Sequence, residues 1–342
     1  MEKQKWDINK LLNWSIDYFK TRKVPNPRLS AELLLSAVLN LSRMELYLKY
    51  DYVLSDIQLK KYKEFILRRL EHEPIQYITG ETYFRKIKLK VDKNVLIPRP
   101  ETELLVEKAG QIIIQLKEVK KEGEKALKNT GRGEKIQEIY RINEIQEIQN
   151  AKTVNILEVG TGSGAISISI LYEAQADDIG EIPVNIIATE VSIDAARVAA
   201  SNAAALLNER KLLHLKIINC NIIPENDRKF MDDFTEKFDI VISNPPYISE
   251  ADFNSLDREI KEYEPREALI SGKTGLECYA MIIKKTAPLI NAQRAYFIFE
   301  TDPGISQNLK KLVEDEFKNS KVIIDRDYNN LERVLTAEIK ML

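Results

Sequence analysis

Asn155-Ile156-Leu157-Glu158-Val159-Gly160-Thr161-Gly162-Ser163-Gly164 runs from a strand pattern straight into three glycines at alternate positions. Ala165-Ile166-Ser167-Ile168-Ser169-Ile170 follows as a helix candidate. Glycines so spaced make a tight turn and let a ligand approach the backbone, and the helix behind them offers unpaired N–H groups. A second apolar run, Asn185-Ile186-Ile187-Ala188-Thr189-Glu190, ends in an acid where an α/β fold places one for ribose hydroxyls. No Lys-Ser or Lys-Thr follows the glycines, so the loop is not a phosphate-cradling P-loop.

Further along, Phe238-Asp239-Ile240-Val241-Ile242-Ser243 leads into Asn244-Pro245-Pro246-Tyr247. The run reads as a buried strand, short and β-branched, ended by prolines that cannot continue a ladder. An Asn at a strand end, with two prolines stiffening the turn and a ring behind, can grip a planar amino group. The Asn side-chain oxygen and a proline carbonyl accept its N–H bonds, and the ring stacks on its π-face. A strand-ending turn with a buried Tyr explains those four residues equally well on their own. Glycine loop, acid-ended strand and Asn-Pro-Pro-Tyr together are far more specific, and a nicotinamide-dependent enzyme gives no reason for the last.

From Val154 onward strand and helix candidates alternate, the pattern of a doubly wound parallel sheet. The later strand candidates are Lys216 to Cys220, Phe238 to Ser243, Ala295 to Glu300, Lys321 to Ile324 and Arg333 to Ile339. Ligands of such sheets bind beyond the carboxyl ends of the strands. Gly160, Glu190, Asn221 and Asn244 are therefore expected to converge on one edge. Upstream, Leu11-Leu12, Ala31 to Leu39 and Tyr62-Phe65-Ile66-Leu70 recur at helical spacing, with Pro25 and Pro27 as interruptions. Gly80 to Leu96 switches to alternation, with Ile87, Leu89 and Val91 apolar between lysines, and reads as a hairpin. Pro100 suits a first helical position, with Glu101 and Glu103 in the positive first turn of a helix running through Leu104-Leu105 to Ile114. Lys117 to Lys152 is rich in Lys, Glu, Gln and Asn and carries an imperfect repeat, Ile136-Gln137-Glu138-Ile139 and Ile145-Gln146-Glu147-Ile148. It reads as a solvated surface insertion, a partner-binding helix being the alternative.

The 342 residues leave room for one or two domains with a sizeable core. Lys plus Arg number 51 against 53 Asp plus Glu, a formal net charge of −2 that disfavours the broad positive field of non-specific nucleic-acid binding. Cys220 and Cys278 are the two cysteines, too few for a disulfide framework or a cysteine zinc cluster. His72 and His214 have no ligand-spaced partner, so no metal is expected. No apolar stretch approaches a membrane span and the start carries no signal-peptide pattern, which makes the cytoplasm the expected location and a membrane an unexpected partner.

The motif set resembles the S-adenosylmethionine-dependent methyltransferases with a Rossmann-like sheet. Within them the chain is similar to the glutamine-N5 methyltransferases of bacterial peptide-chain release factors, along nearly its whole length. The similarity is carried by Ser30-Ala31-Glu32-Leu33-Leu34-Leu35, Ser42-Arg43, Glu73-Pro74-Ile75-Gln76-Tyr77-Ile78-Thr79-Gly80 and Phe84. It continues in Val95-Leu96-Ile97-Pro98-Arg99-Pro100-Glu101-Thr102-Glu103, Tyr263 to Leu269 and Gly272 to Leu276. Sister enzymes that methylate a ribosomal-protein glutamine resemble the Val95–Glu103 stretch less well.

The resemblance implies an α/β fold, a class I methyltransferase domain with a mixed, mostly parallel seven-stranded sheet, and a small N-terminal helical bundle. Residues 1–78 would form the helical substrate-recognition domain, 79–98 a hairpin connector, and 99–342 the methyltransferase domain, with 117–152 as its charged insertion. It implies S-adenosyl-L-methionine as cofactor, S-adenosyl-L-homocysteine as product, and release factors as protein substrates of a monomeric enzyme without stable nucleic-acid binding. The target would be the glutamine of the Gly-Gly-Gln motif.

Gly160, Thr161, Gly162, Ser163 and Gly164 would hold the methionine portion of the cofactor, Glu190 its ribose, and Asn221, Ile222 and Asn244 would complete the site. Asn244, Pro245, Pro246 and Tyr247 would carry catalysis, with Phe84, Arg99 and Thr102 near the cofactor or substrate; for Phe84 a plain core aromatic fits as well. Glu190 and Asn221 stand where the family commonly has Asp, and Thr301-Asp302-Pro303-Gly304 departs from its pattern without explanation. Two other readings share these residues. An adenine-N6 methyltransferase of DNA or RNA holds an exocyclic amine by the same geometry but usually needs a basic channel. A non-catalytic module that merely keeps the fold would be expected to lose the Asn or the glycines, and both are present.

Overall fold

Runs that are apolar at every position become central strands, because only a strand covered on both faces can bury them all. Val154–Val159 (β3), Ile240–Ser243 (β6) and Ala295–Glu300 (β7) come near to such runs, broken only by Asn155 and Glu158 in β3 and by the closing Ser243 of β6 and Glu300 of β7; β6 and β7 are buried throughout. The computed structural model describes residues 5–129, 153–173, 184–224 and 237–340. Between and around these strands lie Val184–Glu190 (β4), Leu215–Asn219 (β5), Lys321–Arg326 (β8) and Glu332–Ile339 (β9). The seven form one sheet in the order β5-β4-β3-β6-β7-β9-β8. β9 runs antiparallel to both its neighbours, and the other pairings are parallel. This is the mixed, mostly parallel seven-stranded sheet, Rossmann-like in its order, that the sequence leads one to expect.

Alternation sorts the side chains into two cores. Ile156, Ile240, Ile242 and Ile298 face Glu103–Asn129 (α6), Ala165–Glu173 (α7) and Ile193–Leu206 (α8). Leu157, Val241, Phe297 and Phe299 face Glu277–Thr286 (α11) and Ser306–Glu316 (α12). Each fully buried aliphatic or aromatic side chain contributes about 1.5–3 kcal/mol relative to exposure. The chain leaves β3 toward β4 on one side and returns to β6 on the other, so the topological switch point lies between the ends of β3 and β6. That crevice is where such sheets bind ligands.

The leader is helical, as its periodicity predicts: Ile8–Thr21 (α1), Pro27–Leu39 (α2), Arg43–Leu48 (α3), Asp56–Leu70 (α4) and Ile75–Thr79 (α5). Pro27 opens α2 where a missing N–H is harmless, and capping boxes at Ser42/Glu45 and Ser55/Gln58 start α3 and α4. Gly80, at φ +79°, ends α5 and leads to the predicted hairpin, Glu81–Phe84 (β1) and Ile87–Lys90 (β2). Asn202 of α8 fastens that hairpin to the glycine loop. Its side chain accepts from Lys90 N (2.8 Å) and donates to Lys90 O and Ser163 O (2.9 Å each).

Three expectations shift. The β6 strand begins at Ile240, Phe238 making only an isolated bridge to Ile290. Pro100 opens a tight 3₁₀ turn, Pro100–Thr102, closed by Thr102 N to Arg99 O (3.1 Å), and the α-helix proper starts at Glu103. α6 then continues past Ile114 to Asn129, while the Ile136 and Ile145 repeats lie outside the described residues. Glu209–Leu212 (α9) and Arg258–Tyr263 (α10) are short helices.

Candidate active site

β3, β4 and β6 deliver their carboxyl ends side by side: Val159 pairs with Thr189, and Glu158 with Ile242. Ser243 Oγ donates to Val159 O (2.7 Å), while Gly160 N and Thr161 N both donate to Thr189 O (2.8 and 3.0 Å). The glycine loop is thus pinned to both neighbouring strands. Gly160, Gly162 and Gly164 have φ of +74°, +55° and +84°, the left-handed region open to glycine at no steric cost. Gly164 also allows close packing, since a Cβ there would come 2.6 Å from Ile168 Cδ1.

Glu190, buried at the end of β4, accepts from Gly162 N on Oε2 (2.8 Å) and from Ser192 N on Oε1 (3.0 Å). Its carboxylate shapes the glycine loop and keeps lone pairs for further donors. Glu158 lies beneath the loop. Thr161 Oγ1 donates to its Oε2 (2.8 Å), the Ser167 hydroxyl donates to the same oxygen, and Oε1 has no partner. Full burial pushes the Glu158 carboxyl up to about 7.

At the end of β6, Asn244 Nδ2 donates to Thr102 Oγ1 (3.1 Å), and Thr102 Oγ1 donates to Glu300 Oε2 (2.6 Å). Among the described residues neither Asn244 Oδ1 nor the Pro245 carbonyl accepts a hydrogen bond. The turn after the motif is braced by a second segment: Ile248 N donates to Leu269 O (3.0 Å), Ser271 N to Ile248 O (2.9 Å) and Glu250 N to Gly272 O (2.9 Å).

These strand ends enclose a cavity of about 330 Å³, at the lower end of the ordinary range for small-ligand sites. Of the residues expected in the site, Gly160, Thr161, Gly162, Ser163, Glu190, Asn221, Ile222, Asn244, Pro245, Pro246 and Thr102 line it. Gly164, Tyr247, Arg99 and Phe84 do not. Gly164 sits behind, at the joint with α7. Tyr247 packs on the core formed by Phe297, Phe299 and α11, and burial raises its phenol pKa. Arg99 is paired with Glu264 at 2.5 Å. Phe84 is 1 % exposed beside Ile87 and Leu105, the plain core aromatic.

Asn221 and Ile222 occupy a sharp turn after β5, closed by Ile223 N to Asn221 O (2.8 Å). Ile222 is held at φ +66°, a strained conformation for a β-branched residue that costs about 1–3 kcal/mol and suits a wall that must be placed against a ligand. The structure adds residues that motif reading missed. Glu277, at the start of α11, lines the cavity, accepts from Lys273 N and Thr274 N, and leaves Oε2 buried without a partner. Glu158 lay in plain view before the glycines but read only as strand, and Glu300 only as a strand end.

Comparison with known proteins bears on what this geometry serves. The family described as PrmC N-terminal domain matches residues 10–80, ending where the five helices give way to the hairpin. The family described as Eco57I restriction-modification methylase matches residues 171–329, a span that holds Asn244 but not the glycine loop. A release factor glutamine methyltransferase of Chlorobaculum tepidum is 33% identical over 337 residues, 98% of this chain and 98% of that relative. The chain belongs to the release factor glutamine methyltransferase family. Another member, from Rhodopirellula baltica, is 30% identical over 334 residues, 97% of this chain and 96% of that relative. Among solved structures, a protein-(glutamine-N5) methyltransferase (release factor-specific) from Alicyclobacillus acidocaldarius matches 74% of this chain and 99% of its own at 20% identity, with a TM-score of 0.36. At that score the fold assignment rests on the strand order instead. Among the described residues no helix is long and apolar enough to cross a membrane, and no group of three or more His, Cys, Asp or Glu is placed to hold a metal.

Proposed function

We propose that this enzyme transfers a methyl group from S-adenosylmethionine to the side-chain amide nitrogen of the Gly-Gly-Gln glutamine of peptide-chain release factors. One observation carries the reading: Asn244 has its amide nitrogen committed to Thr102 and its oxygen free beside the free Pro245 carbonyl, at the rim of a cavity floored by the glycine loop.

The cavity residues fit the cofactor. Gly160 to Ser163 offer closely approachable backbone for the methionine portion, Glu190 offers lone pairs for ribose hydroxyls, and Asn221 and Ile222 form a wall. The unpartnered oxygens of Glu158 and Glu277 suit a ligand that carries cationic groups. When bound, S-adenosylmethionine supplies an electrophilic methyl group on a sulfonium.

An amide nitrogen is a poor nucleophile because its lone pair is delocalised into the carbonyl. Asn244 Oδ1 and the Pro245 carbonyl would take its two N–H bonds and favour the configuration whose lone pair faces the cavity. Orientation of this kind contributes up to about 7–11 kcal/mol in well-aligned intramolecular reactions. Fixed acceptor dipoles add electrostatic stabilisation as the nitrogen gains positive charge. Asn244 and Pro245 need not be strong bases, because the nitrogen turns acidic once alkylated. Pro246 stiffens the turn, and Tyr247 anchors it in the core.

The leader, residues 1–78, is the surface we assign to release-factor recognition. Met44, Leu48 and Ile57 on α3 and α4 expose 74, 78 and 82 % of their area, an apolar display that suits a protein partner.

The test incubates the purified chain with labelled S-adenosylmethionine and either a release factor or double-stranded DNA, followed by mass spectrometry of the product. One added methyl on the Gly-Gly-Gln glutamine is expected. Asn244→Ala should abolish transfer while the cofactor dissociation constant stays within about tenfold, roughly 1.4 kcal/mol; normal transfer by that variant would overturn the acceptor-pair mechanism. The DNA arm addresses the second reading, adenine-N6 methylation, which the match over residues 171–329 favours and the near-balanced charge opposes.

A further inference from the structure

The two ends of an Asn side chain have almost the same shape, yet only one accepts a hydrogen bond. Half a turn of the Asn244 amide would put N–H groups where acceptors are needed, and the cavity would repel the very amide it is meant to hold. Packing alone cannot tell the two orientations apart. A hydrogen-bond chain can.

A hydroxyl has a single proton to give. Thr102 donates its proton to Glu300 Oε2 at 2.6 Å, so toward Asn244 it offers lone pairs only, and Asn244 turns Nδ2 to it at 3.1 Å. We propose that Thr102 and Glu300 are positioning residues for methyl transfer: the chain of bonds from Asn244 through Thr102 to Glu300 sets the Asn244 amide with its oxygen toward the cavity. The consequence for turnover rests on the function proposed above; the alignment itself does not.

The placement supports the assignment. Thr102 and Glu300 are 4 and 2 % exposed, and they come from the turn before α6 and the end of β7 to meet a residue at the end of β6. A buried carboxyl is costly, and an apolar residue would end β7 more cheaply. The acid is explained if its work is to take the Thr102 proton.

The direction of the chain depends on Glu300 being ionised. Glu101 faces it from the 3₁₀ turn and disfavours its charge, Arg99 and Arg333 favour it, and Tyr247 and Tyr279 lie within its field. Burial prevails and pushes the carboxyl up to about 7. Protonated, Glu300 can donate instead of accept, which frees the Thr102 proton and with it the Asn244 amide. Turnover should therefore fall as pH drops through about 7.

Two readouts test the chain. In ¹⁵N-labelled protein the Asn244 Nδ2 proton resonances, assigned by their loss in Asn244→Asp, should move in Thr102→Val and return in Thr102→Ser. With a release factor as substrate, Thr102→Val should lose at least tenfold in kcat with the cofactor dissociation constant within threefold, and Thr102→Ser should recover most of it. Glu300→Gln, whose amide cannot titrate, should remove the pH-dependent shift of those resonances and Glu300's part of the acid limb of kcat. Resonances that stay put in Thr102→Val, or a pH-dependent shift of them that survives Glu300→Gln, would overturn the inference. If the resonances move as described in the variants while the wild-type protein methylates no release factor, the alignment is supported and the proposed substrate overturned.

Discussion

Glu190 illustrates how one side chain braces the loop while keeping lone pairs for further donors. Its two oxygens hold Gly162 N and Ser192 N, so the acid fixes the loop's curvature before any ribose arrives. Glu190→Ala should raise the cofactor dissociation constant at least tenfold by titration calorimetry, about 1.4 kcal/mol or more. An unchanged constant would remove Glu190 from the cofactor site. Glycines, acid and Asn244 were readable because each follows an apolar run, and local order predicts their place at a strand end. Glu158, Glu277 and Glu300 were not. Glu300, at a strand end, looks solvated until distant residues close over it, Thr102 reaching it across 198 positions of sequence; Glu158 is hidden inside a strand and is held by Thr161 and Ser167 of the loop and helix behind it. Tyr247 shows the converse: its neighbour Pro246 lines the cavity, while its own ring packs against the core.

Strands were legible because the central ones are dominated by apolar, largely β-branched or aromatic residues, a pattern with few other solutions in a chain that also alternates with helices. Their ends were less so, since turn hydrogen bonds decide them, as at Phe238 and at Pro100. The brace behind the Asn-Pro-Pro-Tyr turn is likewise invisible in the sequence, although Leu269 and Gly272 belong to the stretches that resemble the family. Gly275 is its tightest point. It sits at φ +82°, and an added Cβ would lie 2.4 Å from the Tyr247 carbonyl oxygen. Gly275→Ala must push that backbone away or distort its own. The expected result is a stability loss of about 1–3 kcal/mol by urea denaturation together with reduced turnover, as the acceptor pair is displaced. A variant with wild-type midpoint and turnover would show that the turn is not held from behind.

Acid burial also leaves a signature on the stability of the folded chain. Glu158 and Glu300 both rise from 4.5 to about 7, and Glu264 is raised in the same direction, chiefly by burial in each case. Between about pH 4.5 and 7 the folded state then holds more protons than the unfolded one, so stability falls as pH rises through that window. The contribution is complete below 4.5 and lost above 7. Acids with lowered pKa, Asp7, Glu32 and Asp327 among them, act in the opposite sense but at lower pH. Urea midpoints should therefore decline from pH 5 to 7.5, and Glu158→Gln should flatten the decline; a midpoint that climbs over that range would contradict the buried-acid picture. The leader is tied into the same body. Arg69 of α4, 3 % exposed at its side chain, grips Glu259 of α10 at 2.6 Å, and Tyr263 Oη donates to Glu71 O at 2.7 Å. α10 runs directly into Pro265, Glu267 and Ala268 on the cavity wall. A displacement of the helices is thus delivered through a short strut to the mouth of the cavity, so that moving the leader and reshaping that entrance are one mechanical event.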